Sequence, residues 1–133
     1  MENLVLQAIE AVAHDSYAGK LTFGDVVDSL MEVGVESYFA DYRTGNTSYY
    51  LADGSVHVVA LGKKDHAIPN AFDDPALVAA IRGAQCDEVR YPEFIRLSMA
   101  AGCVGYIVWM VGRHVSYFGR AGEVHVEHFP QIE

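Results

Sequence analysis

The sequence is poor in cysteine, in basic residues and in long apolar runs, and each shortage excludes a class of protein. Its two cysteines, Cys86 and Cys103, form no CxxC pair, so no disulfide framework is expected and a reducing, cytoplasmic location is favoured. The 9 Lys and Arg against 18 Asp and Glu give a net charge of −9, which argues against binding to nucleic acid or to an anionic membrane surface. The longest apolar run, Cys103 to Val111, has about nine residues and is too short to span a bilayer as a helix.

A leader segment and a second domain are not expected either. The first residues, Met1-Glu2-Asn3-Leu4, lack the basic region and the apolar stretch of a signal peptide. A length of 133 residues with 51% hydrophobic and 20% charged residues is typical of an ordinary globular protein. We therefore expect one domain over residues 1–133.

The feature that the sequence does have is an internal repeat. A shift of 68 positions, with no gap, aligns turn glycines with turn glycines and strand aromatics with strand aromatics. We expect the two copies to span about residues 20–62 and 88–130. The identical positions are Met31/Met99, Gly34/Gly102, Tyr38/Tyr106, Ser48/Ser116, Tyr49/Tyr117, Gly54/Gly122 and Val56-His57-Val58 with Val124-His125-Val126.

Each copy is predicted to be a helix followed by three short strands. Thr22 and Asp25 form a variant of the capping box at the first of these helices, and Asp53-Gly54 is typical of a hairpin turn. A further helix precedes each copy, and the second of these is predicted to start with Asp74 as its N-cap.

The predicted fold class is α+β. We expect a two-layer sandwich, a tandem α-β-β-β repeat whose antiparallel sheet packs against helices around a pseudo-twofold axis. Two smaller sheets packed face to face, or a partly closed barrel, are the alternatives that the sequence leaves open.

The strand at Gly105–Val111 is apolar on both of its sides, unlike its counterpart in the first copy. Such a strand must be covered on both faces, and helices cover only one. Either this strand is central in the sheet, or Ile107, Trp109 and Val111 form an interface with another subunit. We favour a homodimer.

Several segments of the sequence together form a recognisable pattern. They are Tyr91-Pro92-Glu93-Phe94, Ala101-Gly102-Cys103-Val104-Gly105-Tyr106, Tyr117-Phe118-Gly119-Arg120, Gly122-Glu123, His125-Val126-Glu127-His128-Phe129-Pro130 and Tyr49-Tyr50-Leu51-Ala52-Asp53-Gly54. This pattern resembles a bacterial and prophage-encoded domain family of unknown function, whose members often carry the label "phage envelope protein". The resemblance covers most of the chain and implies an α+β fold with helices against a sheet and a bacterial or prophage origin, but it supplies no activity, substrate or catalytic residue.

Paired histidines are the first candidate for chemistry. His57 is the repeat counterpart of His125, and Glu127 follows on the same side of the last strand. If the pseudo-twofold axis passes between the third strands of the two copies, the two imidazoles face each other beside the carboxylate. Such a set can hold a divalent metal with a water in the open position, or act as an acid–base pair. A packing or surface role for these histidines is the alternative.

Ligand binding is the second candidate. Tyr49 and Tyr117 suit either a pocket or packing between strands, and Arg120 suits either an anionic ligand or a neighbouring carboxylate. No nucleophile motif or phosphate-binding loop accompanies them. The function predicted is therefore a non-enzymatic binding or interaction module for a protein or a small molecule, without a cofactor. The alternative is a small metal-assisted or acid–base enzyme that uses His57, His125 and Glu127.

Overall fold

The computed structural model describes residues 3–62 and 67–129 of the chain. These residues form two successive units, each with two helices followed by three strands. None of the helices in the described ranges is long and apolar enough to cross a membrane. The elements are α1 (Asn3–Tyr17), α2 (Phe23–Glu32), β1 (Val35–Asp41), β2 (Asn46–Leu51), β3 (Val56–Ala60), α3 (Asp74–Gln85), α4 (Tyr91–Ala100), β4 (Cys103–Trp109), β5 (His114–Gly119) and β6 (Val124–His128).

The six strands form one antiparallel sheet in the order β3-β2-β1-β4-β5-β6. Helices pack against one face of this sheet, where the buried side chains of the strands join those of the helices in a single core. The predicted α+β two-layer sandwich is confirmed. The sheet has two free edges, β3 and β6, so neither the barrel nor the pair of smaller sheets is formed.

The two units are related by a pseudo-twofold axis between β1 and β4. In the antiparallel register of these strands Phe39 lies opposite Ile107, which is also its repeat counterpart, so the axis passes through this pair. Both units repeat the same irregularity, because the register shifts at Val35/Ser37 in β1 and at Cys103/Gly105 in β4. The doubling predicted from the sequence therefore extends to details of the backbone.

Backbone conformation is conserved between the units even where glycine is not. In the described ranges the only non-glycine residues with positive φ are Asp87 (φ 63°) and Arg113 (φ 57°). Their repeat counterparts are Gly19 (φ 76°) and Gly45 (φ 77°). The chain thus adopts the left-handed conformation at both turns although it is unfavourable for residues with a Cβ.

The position of the axis corrects one prediction. The paired-histidine hypothesis required the third strands of the two copies to meet, but the first strands meet instead. The physical reason is burial: five of the seven residues of β4 are buried, whereas β3 and β6 alternate between exposed and half-buried residues, as edge strands do.

Local predictions at the helix starts are partly confirmed. Thr22 and Asp25 form the reciprocal capping box at α2. At α3 the N-cap is Asp73 and not Asp74, because the Asp73 side chain accepts a hydrogen bond from the Ala76 backbone N–H at 3.1 Å.

The seam between β1 and β4 predicts the effect of one substitution. A Cβ at Gly105 would overlap the carbonyl oxygen of Ala40 on the facing strand. We expect Gly105→Ala to lower the free energy of unfolding by about 1–3 kcal/mol, as overpacking of a core does. Urea unfolding followed by circular dichroism measures this.

Gly24→Ala is the matched control, because the nearest atom to a Cβ there is Thr22 Oγ1 at 3.9 Å. Alanine in a helix is favoured over glycine, so we expect no loss of stability for this variant. Equal stability of the two variants would contradict a close approach of β1 and β4.

Candidate ligand pocket

The structure does not bring the paired histidines together. His57 lies on β3 and His125 on β6, at opposite edges of the sheet and about 24 Å apart, since five strand spacings of about 4.8 Å separate the two edges. His57 instead contacts Glu10 of α1, with 2.9 Å between Nε2 and the carboxylate. The predicted shared site of His57, His125 and Glu127 is therefore not formed. Among residues 3–62 and 67–129 no group of three or more His, Cys, Asp or Glu side chains is placed to hold a metal ion.

His125 and Glu127 do form a polar cluster, but with residues of α3. The Arg82 guanidinium donates to Glu127 Oε2 at 2.6 Å, and the Gln85 amide donates to the same oxygen at 3.3 Å. His125 bridges two carboxylates, with Nε2 3.3 Å from Glu127 and Nδ1 3.0 Å from Asp74. Both ring nitrogens of His125 are thus engaged with acidic side chains, which leaves neither for a metal.

This cluster favours the ionised form of Glu127. Burial raises the pKa of its carboxyl, but hydrogen bonds from Arg82, His125 and Gln85 outweigh burial and hold the pKa below its ordinary value. The side chain of Glu127 is 16% exposed, so a fixed negative charge lies at the boundary between core and solvent.

A cavity of about 390 Å³ lies beside this cluster, between the helices and the sheet. This volume is within the range of small-molecule sites, about 300–1,000 Å³. Glu127 and Gln85 are polar residues of its lining, and its exposed residues include Thr22, Gln85, Asp87 and Arg90. Its walls are apolar and aromatic, and they include Val26, Tyr38, Ile81, Phe94, Tyr106, Val115 and Tyr117.

The two units differ at a helix residue that lies beside the cavity. Tyr17 at the end of α1 has Gln85 at the end of α3 as its repeat counterpart. The Tyr17 hydroxyl hydrogen bonds to Thr47 of β2 at 2.8 Å, so its ring fills the space between helix and sheet in the first unit. In the second unit Gln85 is turned to Glu127, and Val115 replaces Thr47, so the corresponding space stays open.

Two buried tyrosines of the cavity wall have hydroxyls that make no hydrogen bond in the described part of the chain, and neither hydroxyl oxygen is itself fully buried. Tyr38 and Tyr117 are 5% and 7% exposed, and both line the cavity. The described hydrogen bonds engage the Tyr106 hydroxyl, which donates to Tyr91 at 2.7 Å, but neither of these two. Burial raises the pKa of Tyr38 and of Tyr117, so both hydroxyls stay protonated and can donate to a ligand.

The other predicted ligand residues lie outside the cavity. Tyr49 packs in the core against Tyr38, with 5.5 Å between the ring centroids, and does not line the cavity. Arg120 follows β5 and donates to the backbone carbonyl of Ile68 at 3.1 Å, so it fastens a connecting segment. Of the predicted set, Tyr117 and Glu127 line the cavity and His125 supports Glu127.

Sequence reasoning missed the helix residues of the site, Arg82, Gln85 and Phe94. The repeat alignment contained a signal for Gln85, because the shift of 68 positions aligns this shorter polar residue with the aromatic residue Tyr17. An alignment restricted to residues 20–62 and 88–130 leaves out this pair, which lies in α1 and α3.

Comparison with protein families gives one match that covers most of the chain. A family model described as a protein of unknown function (DUF1398) matches residues 9–128. This range includes all six strands, three of the four helices in full, and every wall residue of the cavity named above.

Curated relatives match a shorter part of the chain. An uncharacterized protein of Mycobacterium tuberculosis, Rv2012, is 35% identical over 63 residues, which are 47% of this chain and 38% of the relative. An uncharacterized protein of Mycobacterium bovis, Mb2035, matches with the same identity and coverage. The match thus spans less than two-fifths of the length of these relatives.

The polar cluster predicts a pH-dependent effect of Arg82→Met. Because the pKa of Glu127 is lowered in the folded state, its contribution to stability is present above the unfolded-state pKa, about 4.3, and is lost as the pH falls through the folded-state pKa. We expect the variant to lose about 0.5–1 kcal/mol of unfolding free energy at pH 7 and little at pH 3. Urea unfolding at both pH values measures the difference.

Arg96→Met is the matched control, because Arg96 is 53% exposed against 56% for Arg82 and reaches Glu93 only at 3.9 Å. We expect no measurable loss for this variant at either pH. A loss for Arg82→Met that is equally large at pH 3 would contradict the role assigned to ionised Glu127.

Proposed function

We propose that this chain, which belongs to the DUF1398 family of proteins of unknown function, is a non-enzymatic binding module that takes a small molecule into the cavity between its helices and its sheet. The observation that carries the proposal is the open space beside Gln85, which Tyr17 fills in the other unit. A repeat protein that packed only for stability gains nothing from leaving one of two equivalent spaces empty, because lost packing costs stability.

The lining points to the chemistry of the ligand. Aromatic and aliphatic walls favour a flat, largely apolar molecule. The Tyr38 and Tyr117 hydroxyls are donors, so the ligand is expected to carry hydrogen-bond acceptors such as a carbonyl oxygen or a ring nitrogen. Ionised Glu127 in the lining disfavours an anionic group beside it. We therefore propose a neutral planar molecule with acceptor atoms.

The alternative of a metal-assisted or acid–base enzyme has less support. Its two imidazoles lie at opposite edges of the sheet. The buried thiol of Cys103 is no substitute nucleophile, because burial raises its pKa to about 11 and it hydrogen bonds to the Gly105 carbonyl at 3.3 Å. Tyrosines with raised pKa donate hydrogen bonds but do not act as bases at neutral pH. These features favour binding over catalysis.

The setting of the protein is part of the proposal. Relatives in mycobacteria support a bacterial protein family. A prophage origin, which the family resemblance implies, and a cytoplasmic location, which the low cysteine content favours, stay predictions.

Substitution at Gln85 tests the proposal with Nile red, a neutral planar dye that carries acceptor atoms. We expect the wild-type chain to enhance and blue-shift the dye fluorescence, and Gln85→Tyr to weaken binding at least about tenfold, because the new ring occupies the space as Tyr17 does in the first unit. Fluorescence titration measures the dissociation constants.

Gln85→Ala is the matched control, because it removes the same hydrogen bonds to Arg82 and Glu127 but leaves the cavity open. We expect its affinity for the dye to stay within about threefold of wild type. Absence of dye binding to the wild-type chain, or equal binding by Gln85→Tyr, would overturn the proposal.

A further inference from the structure

The face of the sheet opposite the helices carries a regular apolar surface, which we call the open face. The strand registers arrange it in three rows of six residues that run across the sheet. The rows are Val58-Ser48-Phe39-Ile107-Ser116-Val126, Val56-Tyr50-Ser37-Trp109-His114-His128 and Ala60-Asn46-Asp41-Gly105-Phe118-Val124. The pseudo-twofold axis maps the first row onto itself and exchanges the other two.

Large apolar side chains on this face are exposed to an unusual degree. Among the described residues, six of the nine exposed large hydrophobic side chains lie in the three rows. Soluble monomers rarely present such contiguous apolar surface unless it binds something. Their exposed fractions are 50% for Val56, 52% for Val58, 52% for Val124, 46% for Val126, 38% for Tyr50 and 39% for Trp109.

The open face is almost free of charge although the chain carries −9. Asp41 is its one Asp or Glu, and backbone N–H groups of Arg43 and Thr44 hydrogen bond to that carboxylate at 3.0 and 3.4 Å. Its other titratable groups are Tyr50 and the imidazoles of His114 and His128, which lie at one corner with 5.9 Å between their rings. Two copies of this chain can therefore bring their open faces together without bringing their acidic surfaces into contact.

The size of the open face fits a dimer. Six strands spaced about 4.8 Å apart, with about five residues of each at about 3.4 Å per residue, give a surface of roughly 29 by 17 Å in plan. The accessible surface is larger than this plan area, because the side chains that cover the face are up to about half exposed and make it uneven. It is on the order of 800 Å², which is the area that each partner contributes to an interface of standard size.

We infer that the occupant of the open face is a second copy of the chain, in a twofold-symmetric, sheet-on-sheet homodimer. A symmetric pair uses the same patch on both copies. Phe39 and Ile107 lie at the centre of the face, on the pseudo-twofold axis. In the dimer this central pair therefore contacts the same central pair of the second copy. Two sheets packed in this way lie about 10 Å apart and complete a buried core.

Two of the three interface residues predicted from the sequence lie on the open face. Ile107 and Trp109 belong to the rows, whereas Val111 lies in the turn after β4, 84% exposed and outside them. The helices and the cavity are on the other side of the sheet, so the dimer and the ligand site are independent.

Trp109 reports on the interface without any substitution, because it is the one tryptophan of the chain and is 39% exposed on the open face. Mass action moves a dimer toward monomer on dilution. We expect acrylamide to quench Trp109 fluorescence about twofold less efficiently at about 100 μM chain than at about 0.1 μM, concentrations chosen to bracket ordinary dimer affinities. Light scattering at the higher concentration is expected to give twice the chain mass.

The double variant Val58→Glu/Val126→Glu places a carboxylate at each end of the central row, at positions already half exposed. We expect it to scatter light as a monomer and to be quenched equally at both concentrations, with an unchanged circular dichroism spectrum. Met31→Glu is the control, because Met31 is 45% exposed like Val126 but lies on α2, and we expect this variant to stay dimeric.

A wild-type chain with the mass of a monomer at the higher concentration would overturn the inference and leave the face for a different protein. A dimer that survives in a folded double variant, with Trp109 quenched equally at both concentrations, would place the contact elsewhere and also overturn it. If the double variant fails to fold, Tyr50→Ser, at a position 38% exposed, replaces it in the same measurements.

Discussion

Hydrogen bonding between β1 and β4 is the constraint on which the rest of the structure depends. It joins two units of similar sequence through their first strands and places Phe39 opposite its own counterpart Ile107. Because each strand in a meander lies beside the next, this one pairing fixes the order of all six strands. It puts the third strands at the outer edges, the helices on one face, and an apolar surface on the other.

The two units share the backbone features that build the fold, and the candidate site lies where the units differ. The two units share their strand registers, a bulge and the left-handed turns, down to Asp87 and Arg113 at positions where the counterparts are glycine. They differ where side chains of α3 contact β6. There Gln85 stands in place of Tyr17 and Glu127 in place of Val59, which opens a cavity and adds a charged group held by Arg82.

The sequence predicted the elements well because the repeat and the strand alternation are local patterns. The capping box at Thr22, the turns at Gly54 and Gly122 and the alternation in the last strand all correspond to the structure. The pairing of units was not predictable from alternation, since either end strand of a meander can lie at the centre. The apolar residues on both sides of β4 indicated correctly that this strand is central in the sheet. The paired-histidine hypothesis instead placed the pseudo-twofold axis between the third strands, which was wrong. The cavity was missed because it arises between elements, from the volume of Tyr17 in one unit and its absence in the other.

The central claim is that the chain binds a flat neutral molecule between its helices and its sheet. Intermolecular nuclear Overhauser effects in the complex with Nile red test it most directly, because they identify which protons of the chain lie within contact distance of the dye. We expect Overhauser effects between the dye and the ring protons of Tyr38, Phe94 and Tyr117, which line the cavity. Contacts to Phe39, Ile107 and Trp109 instead, on the opposite face of the sheet, would contradict it.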